Sequence, residues 1–149
     1  MREKMFQLGF NFLFILSGCL LFSFQSENFH IKIEMQNIRN SNGHIQLQLY
    51  KDETNFKKET PYKILYISKN NVHDGKLTYN MTLPKGTWGF AMLDDENKDG
   101  KMNYSFILPK EGFAFSNFYL SGWSKPKFNE FAMNVASDRV VYMKFRYVK

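Results

Sequence analysis

Apolar and polar side chains alternate along most of this chain. In "FHIKIEMQNI", Ile31, Ile33 and Met35 fall on one side of an extended strand, and His30, Lys32 and Glu34 fall on the other. A period of two marks a strand with one buried face. "HIQLQLYK" repeats the pattern with Ile45, Leu47 and Leu49 inward, and "YKILYIS" is a third apolar run. "KLTYNMTL" places Leu77, Tyr79, Met81 and Leu83 on one face, and "TWGFAML" alternates Trp88, Phe90 and Met92 with Gly89 and Ala91. "EFAMNV" and "RVVYMKFRYV" read as two further strands. Turns separate these runs at "SNG" (41–43), "HDG" (73–75) and "PKG" (84–86), and a polar loop at 51–60 ends at Pro61. Pro84 cannot donate to a ladder, so it ends its strand, and Gly86 supplies the freedom for the reversal. No sustained i, i+3, i+4 stripe occurs outside the N-terminal segment. About seven short strands punctuated by turns predict an all-β, antiparallel β-sandwich with local pairing.

The N-terminal segment obeys a different pattern. "MREKMFQLGFNFLFILSGCLLFSFQSE" opens with Arg2 and Lys4, continues as an apolar run from Met5 to Phe24, and ends in polar Gln25, Ser26 and Glu27. This is the charged start and apolar middle of a secretory signal, predicted over residues 1–25, with a single β domain over 26–149. Within it, "LSGC" (16–19) fits a lipobox, which would make Cys19 a lipidated first residue. "LLFSF" follows the cysteine where a polar tether is usual, so an ordinary signal peptide cut near residues 23–25 and an uncleaved anchor stay open beside the lipoprotein. Each alternative places the domain beyond the cytoplasmic membrane: periplasmic, outer-membrane associated or secreted.

Composition narrows the chemistry. Cys19 is the only cysteine, so the β domain has no disulfide and no thiolate metal site. Net charge is +6, spread along the chain without the dense Lys/Arg block of a nucleic-acid arm. The expected partner is an envelope component, a glycan or a protein, with membrane contact only through the leader or a lipid; the expected state is a monomer.

One acidic stretch interrupts this basic chain. "DDENKDGKMN" (94–103) places Asp95, Asn97 and Asp99 at positions 1, 3 and 5 of a calcium-type loop, with Gly100 at 6, the Lys101 carbonyl at 7 and Asn103 at 9. Position 12, where a bidentate Glu belongs, is Phe106, so closure requires Glu111 or Asp94 from outside. Without that Glu the expected affinity is weak, roughly 10⁻⁴–10⁻³ M. The alternative is a polar hairpin loop whose Asp and Asn side chains cap backbone amides.

Two features then point to a family. "LPKGTW" (83–88) resembles the Leu-Pro-x-Gly-x-aromatic hairpin of transthyretin-like sandwiches, which places the expected fold among immunoglobulin- and transthyretin-like domains. The order "DDENKDGKMN…PKEGFAFSN…KPKFNEFAMNV" resembles the family called domain of unknown function 2141, through Asp95, Glu96, Asn97, Gly100, Lys101, Pro109, Lys110, Glu111, Gly112, Phe113, Phe115, Ser116, Asn117, Pro126 and Phe128. Departures from the family pattern are Lys98-Asp99 for Gly-Asn, Asn103 for Asp, Leu108 for Gly in a segment about one residue shorter, and Ala114 for Gly. The resemblance implies an exported bacterial β-sandwich and supplies no activity.

Catalytic patterns are thin. His30, His44 and His73 lie on separate elements, and Ser116 lacks a nucleophile elbow. A hydrolase would have to use Glu111 and Asp95, without a second carboxylate placed opposite by the sequence. Phe118, Tyr119 and Trp123 are either core residues or a platform for stacking on sugar rings, with Trp123 the best candidate for exposure. The sequence therefore predicts a binding or structural module, with calcium as its one candidate cofactor.

Overall fold

Alternation in the sequence becomes alternation in burial. The computed structural model describes residues 27–148, and the expected leader with Cys19 lies outside the described residues. Strands β1 (Asn28–Gln36), β2 (His44–Tyr50), β3 (Lys63–Ser68), β4 (Leu77–Pro84) and β5 (Gly86–Asp95) follow the five predicted runs. Beyond them come β6 (Tyr104–Ser105), β7 (Leu108–Pro109), β8 (Gly112–Phe115), β9 (Met133–Val135) and β10 (Arg139–Lys144). Among the described residues the protein is mostly β, with two short helices, α1 (Glu53–Lys57) and α2 (Phe128–Phe131).

The strands form three sheets. One has the order β10-β1-β4, the second β3-β2-β5-β8 with β9 alongside the start of β5, and the third is the β6–β7 hairpin. Ile31, Ile33 and Met35 of β1 and Val141 and Met143 of β10 share one buried cluster with Ile45, Leu47 and Leu49 of β2 and Trp88, Phe90 and Met92 of β5. The residues predicted to point inward on β1, β2 and β5 are all in that cluster.

The expectation of local, antiparallel pairing throughout needs correction. β10 runs parallel to β1, with Ile33 opposite Val141 and Met35 opposite Met143. Apolar alternation encodes which face a residue takes and carries no information on strand direction, so a parallel return brings the same buried positions side by side. Two smaller differences have a similar cause. The loop at 51–60 contains α1, capped by Asp52, whose Oδ1 accepts the Asn55 amide at 2.8 Å. The strand expected at "EFAMNV" is confined to Met133–Val135, because Glu130 and Phe131 close α2. Helices of five and four residues are too short to print a 3.6-residue period.

Those helices cover the second face of β5. Tyr50, Phe56, Phe115, Phe128 and Phe131 make a separate aromatic cluster there. Gly89 lies under it, and a Cβ at that position would come within 2.6 Å of the Phe128 ring and 2.7 Å of the Phe131 ring. Gly89→Val is therefore expected to lower unfolding free energy by about 1–3 kcal/mol through overpacking, read from urea denaturation; an unchanged midpoint would show that the rings do not rest on Gly89.

Candidate functional site

The site begins where β5 ends. Consecutive strand residues point to opposite faces, so Asp94 and Asp95 part company although both are fully buried. Asp94 turns toward the shared core, where Lys69 Nζ lies 2.5 Å from Oδ1 and the Tyr147 hydroxyl donates to Oδ2 at 2.5 Å. Lys69 also donates to Asn40 Oδ1 at 3.3 Å. Burial pushes the Asp94 carboxyl up, against the pull of Lys69 and Tyr147, and burial together with Asp94 pushes the Tyr147 phenol up.

Asp95 serves the loop. Its Oδ1 accepts the Asp99 amide at 3.1 Å and its Oδ2 the Gly100 amide at 2.9 Å. His44 Nε2 stands 3.0 Å from Oδ2, off the line of a hydrogen bond. Gly43 (φ +74°) fits here because a Cβ would meet the Asp95 carbonyl at 2.0 Å. Ahead of Asp95, Asn97 Nδ2 donates to Asp99 Oδ2 at 3.0 Å and to Asn103 Oδ1 at 2.8 Å, and Asn103 Nδ2 donates to Asp99 Oδ2 at 2.8 Å. The Lys101 amide donates to Asp99 Oδ1 at 2.9 Å. These donors hold the exposed Asp99 carboxyl below its usual range, Asn103 foremost.

Glu111 reaches into the loop from outside, whereas Asp94 does not. Glu111 Oε1 accepts the Glu96 amide at 3.1 Å and Oε2 the Asn103 amide at 3.2 Å. Burial pushes its carboxyl up, opposed by those two amides. Glu96 is held from the other side by Arg39, with Nε at 2.5 Å and Nη2 at 2.9 Å, and by Asn40 Nδ2 at 3.0 Å. The Arg39 fork holds the Glu96 carboxyl below its usual range. Among the described residues no three His, Cys, Asp or Glu side chains converge on one ion-sized point. The side chains of Asn97, Asp99 and Asn103 do meet as one hydrogen-bonded cluster, while Asp95 holds the backbone amides of Asp99 and Gly100.

Next to this loop the outer face of the five-stranded sheet is hollowed into a groove of about 560 Å³. Its floor is a polar row on β2: Gln48 Nε2 donates to Gln46 Oε1 at 3.0 Å, and the Tyr50 hydroxyl donates to Gln48 Oε1 at 2.6 Å. Burial pushes the Tyr50 phenol up to about 12. Tyr104 and Ile107 of the hairpin, and Trp123 and Lys125, contribute to its lining. Trp123 is 77% exposed and Tyr104 58%. The Arg146 guanidinium lies 5.5 Å from the Trp123 ring and fixes that segment by donating to the Leu120 and Gly122 carbonyls.

Of the three predicted stacking residues, only Trp123 lines the groove. Tyr119 is exposed outside it, with Lys144 Nζ 5.2 Å from its ring, and Phe118 packs against the second aromatic cluster. Ser116 is buried, its Oγ accepting the Phe90 amide and donating to the Phe131 carbonyl. A second depression, about 740 Å³, lies over the three-stranded sheet and has no Trp, Tyr or Phe in its lining.

Residues 33–142 match the family described as an uncharacterized protein conserved in bacteria, DUF2141. The chain belongs to this family. No curated protein and no solved structure matches it. The two segments that carried the resemblance in the sequence, the acidic loop and Pro109-Lys110-Glu111-Gly112, are fastened to each other by Glu111. The groove residues Gln46, Gln48 and Tyr104 and the buried Lys69 escaped the sequence reading. The outward phase of "HIQLQLY" marks the two glutamines as surface without showing that later segments wall them in.

The Arg39–Glu96 fork gives a pH signature. A carboxyl whose folded pKa is depressed contributes stability above its unfolded value, here 4.5, and loses it as pH falls through the folded value. The stability difference between the wild type and Glu96→Gln is therefore expected to shrink as pH falls below about 4.5. Urea midpoints across that range check this, and a constant difference would show that Glu96 is not held ionised by the fold.

Proposed function

We propose that this chain is an exported envelope module, a transthyretin-like β-sandwich, whose groove takes an oligosaccharide. The supporting observation is Trp123, 77% exposed at a groove floored by the Gln46 and Gln48 carboxamides. Sugar rings offer an apolar face for an aromatic plane and hydroxyls for carboxamides, so one site satisfies both halves of the ligand. Two sheets sharing one core support the sandwich, and the charged-then-apolar N-terminus supports export. A hydrolase built on Asp95 and Glu111 has less support, since all four carboxylate oxygens accept backbone amides. Trp123→Ala is expected to weaken glycan binding at least about tenfold, as for a central aromatic contact. A glycan array with the wild type finds the ligand and a titration measures the loss. An array without hits, or equal binding by the variant, would sink the carbohydrate reading.

The loop at 94–103 supports a second reading, as a weak calcium site. Asn97 and Asn103 flank Asp99, and turning their carboxamides would aim two more oxygens at the point Asp99 faces. The ion would order the loop beside the groove. Millimolar calcium is expected to raise the melting temperature and EDTA to reverse it; a melting temperature indifferent to both ends this reading.

A further inference from the structure

The β6–β7 hairpin carries an exposed tip, of which Ile107 also lines the groove and Phe106 does not. Between its two short strands stand Phe106 and Ile107, exposed by 102% and 86%. Phe106 holds a left-handed backbone, φ +55°, which is rare for a bulky residue and concentrates where structure serves a contact. The stem beneath is firm. Tyr104 pairs with Pro109 and Ser105 with Leu108, the Lys110 amide donates to the Asn103 carbonyl at 2.8 Å, and Glu111 holds the Asn103 amide.

Charge around the stem favours one kind of partner. Of the acids between residues 94 and 111, Asp94, Asp95 and Glu111 are buried and Glu96 is paired with Arg39. Asp99 alone is left exposed, against exposed Lys98, Lys101 and Lys110. A pair of bare apolar side chains on a hairpin flanked by exposed lysines matches the order of an anionic membrane, with phosphates outside and acyl chains within. A second copy of this chain is a poorer fit, because its own net charge is +6.

We propose that the β6–β7 hairpin is an interfacial membrane contact: Phe106 and Ile107 enter the acyl boundary of an anionic bilayer while Lys98, Lys101 and Lys110 meet its phosphates. This contact is separate from the N-terminal leader and does not depend on the glycan reading of the groove. The test uses the full chain with vesicles of phosphatidylglycerol and phosphatidylethanolamine. In a Phe106→Trp variant, after subtraction of the wild-type signal from Trp88 and Trp123, emission is expected to shift to the blue and to be quenched by brominated acyl chains. Changing Lys98, Lys101 and Lys110 to Gln in that variant is expected to raise the lipid concentration for half-maximal quenching roughly fivefold or more. An Ile107→Trp variant should behave as Phe106→Trp does. Both positions are exposed, so melting temperatures should stay at the wild-type value. Unquenched emission from both variants while the chain sediments with the vesicles overturns the proposal. So does a blue shift that grows with protein concentration without lipid, which would assign the tip to a second copy.

Discussion

Strand β5 is covered on both faces. Trp88, Phe90 and Met92 fill the core between the two main sheets, while Gly89 and Ala91 admit the aromatic cluster of α1 and α2 on the other side. A strand in that position needs large residues on one face and small ones on the other, which is the alternation in "TWGFAM". The closeness at Gly89 brings α2 down onto the sheet, and α1 meets it: the Phe128 amide donates to Glu53 Oε2 at 2.6 Å. Lys125 then reaches back to the Phe56 carbonyl and to Glu59. The wall that carries Trp123 is thus set by packing that starts at a residue with no side chain.

The far end of β5 replaces packing with charge. Asp94 and Lys69 are wholly removed from water, and a buried pair of this kind gives back in attraction roughly what desolvation removes. Its effect is chiefly on geometry: it fixes the end of β3 and the C-terminal Tyr147 against β5, because neither charge can tolerate losing the other. Asp95, one residue on, spends its two oxygens on the Asp99 and Gly100 amides and so sets the first turn of the loop. Adjacent acids with opposite facings let one strand end tie together the interior and the surface.

Much of this was legible in the sequence, and the remainder was hidden for definite reasons. Residues 31, 33, 35, 45, 47 and 49 announced the core because a two-residue period leaves little ambiguity about face. The parallel return of β10 was hidden because the same period is blind to direction. Lys69, in "SKNN", reads as a surface turn, and its burial depends on Asp94, far along the chain. The spacing of Asp95, Asn97, Asp99 and Asn103 left two arrangements open, and the amides of Asp99, Gly100 and Lys101 are capped by Asp95 and Asp99 as a polar turn requires. Glu111 was named as one of two outside candidates to close the loop, and only the hairpin between them decided that it, and not Asp94, arrives.

Asn103 is the junction of the whole region. Its side chain bonds Asn97 and Asp99 within the loop, its amide is held by Glu111, and its carbonyl receives the Lys110 amide at the foot of the hairpin. Anything that fixes the loop therefore fixes the hairpin, and the hairpin contributes Tyr104 and Ile107 to the groove. A ligand in any of the three places can influence the others only through its different affinity for the ordered and loosened forms of this junction. The connection from β5 to β8 is thus fastened at Glu111, which follows the family pattern, and at Asn103, where this chain departs from it.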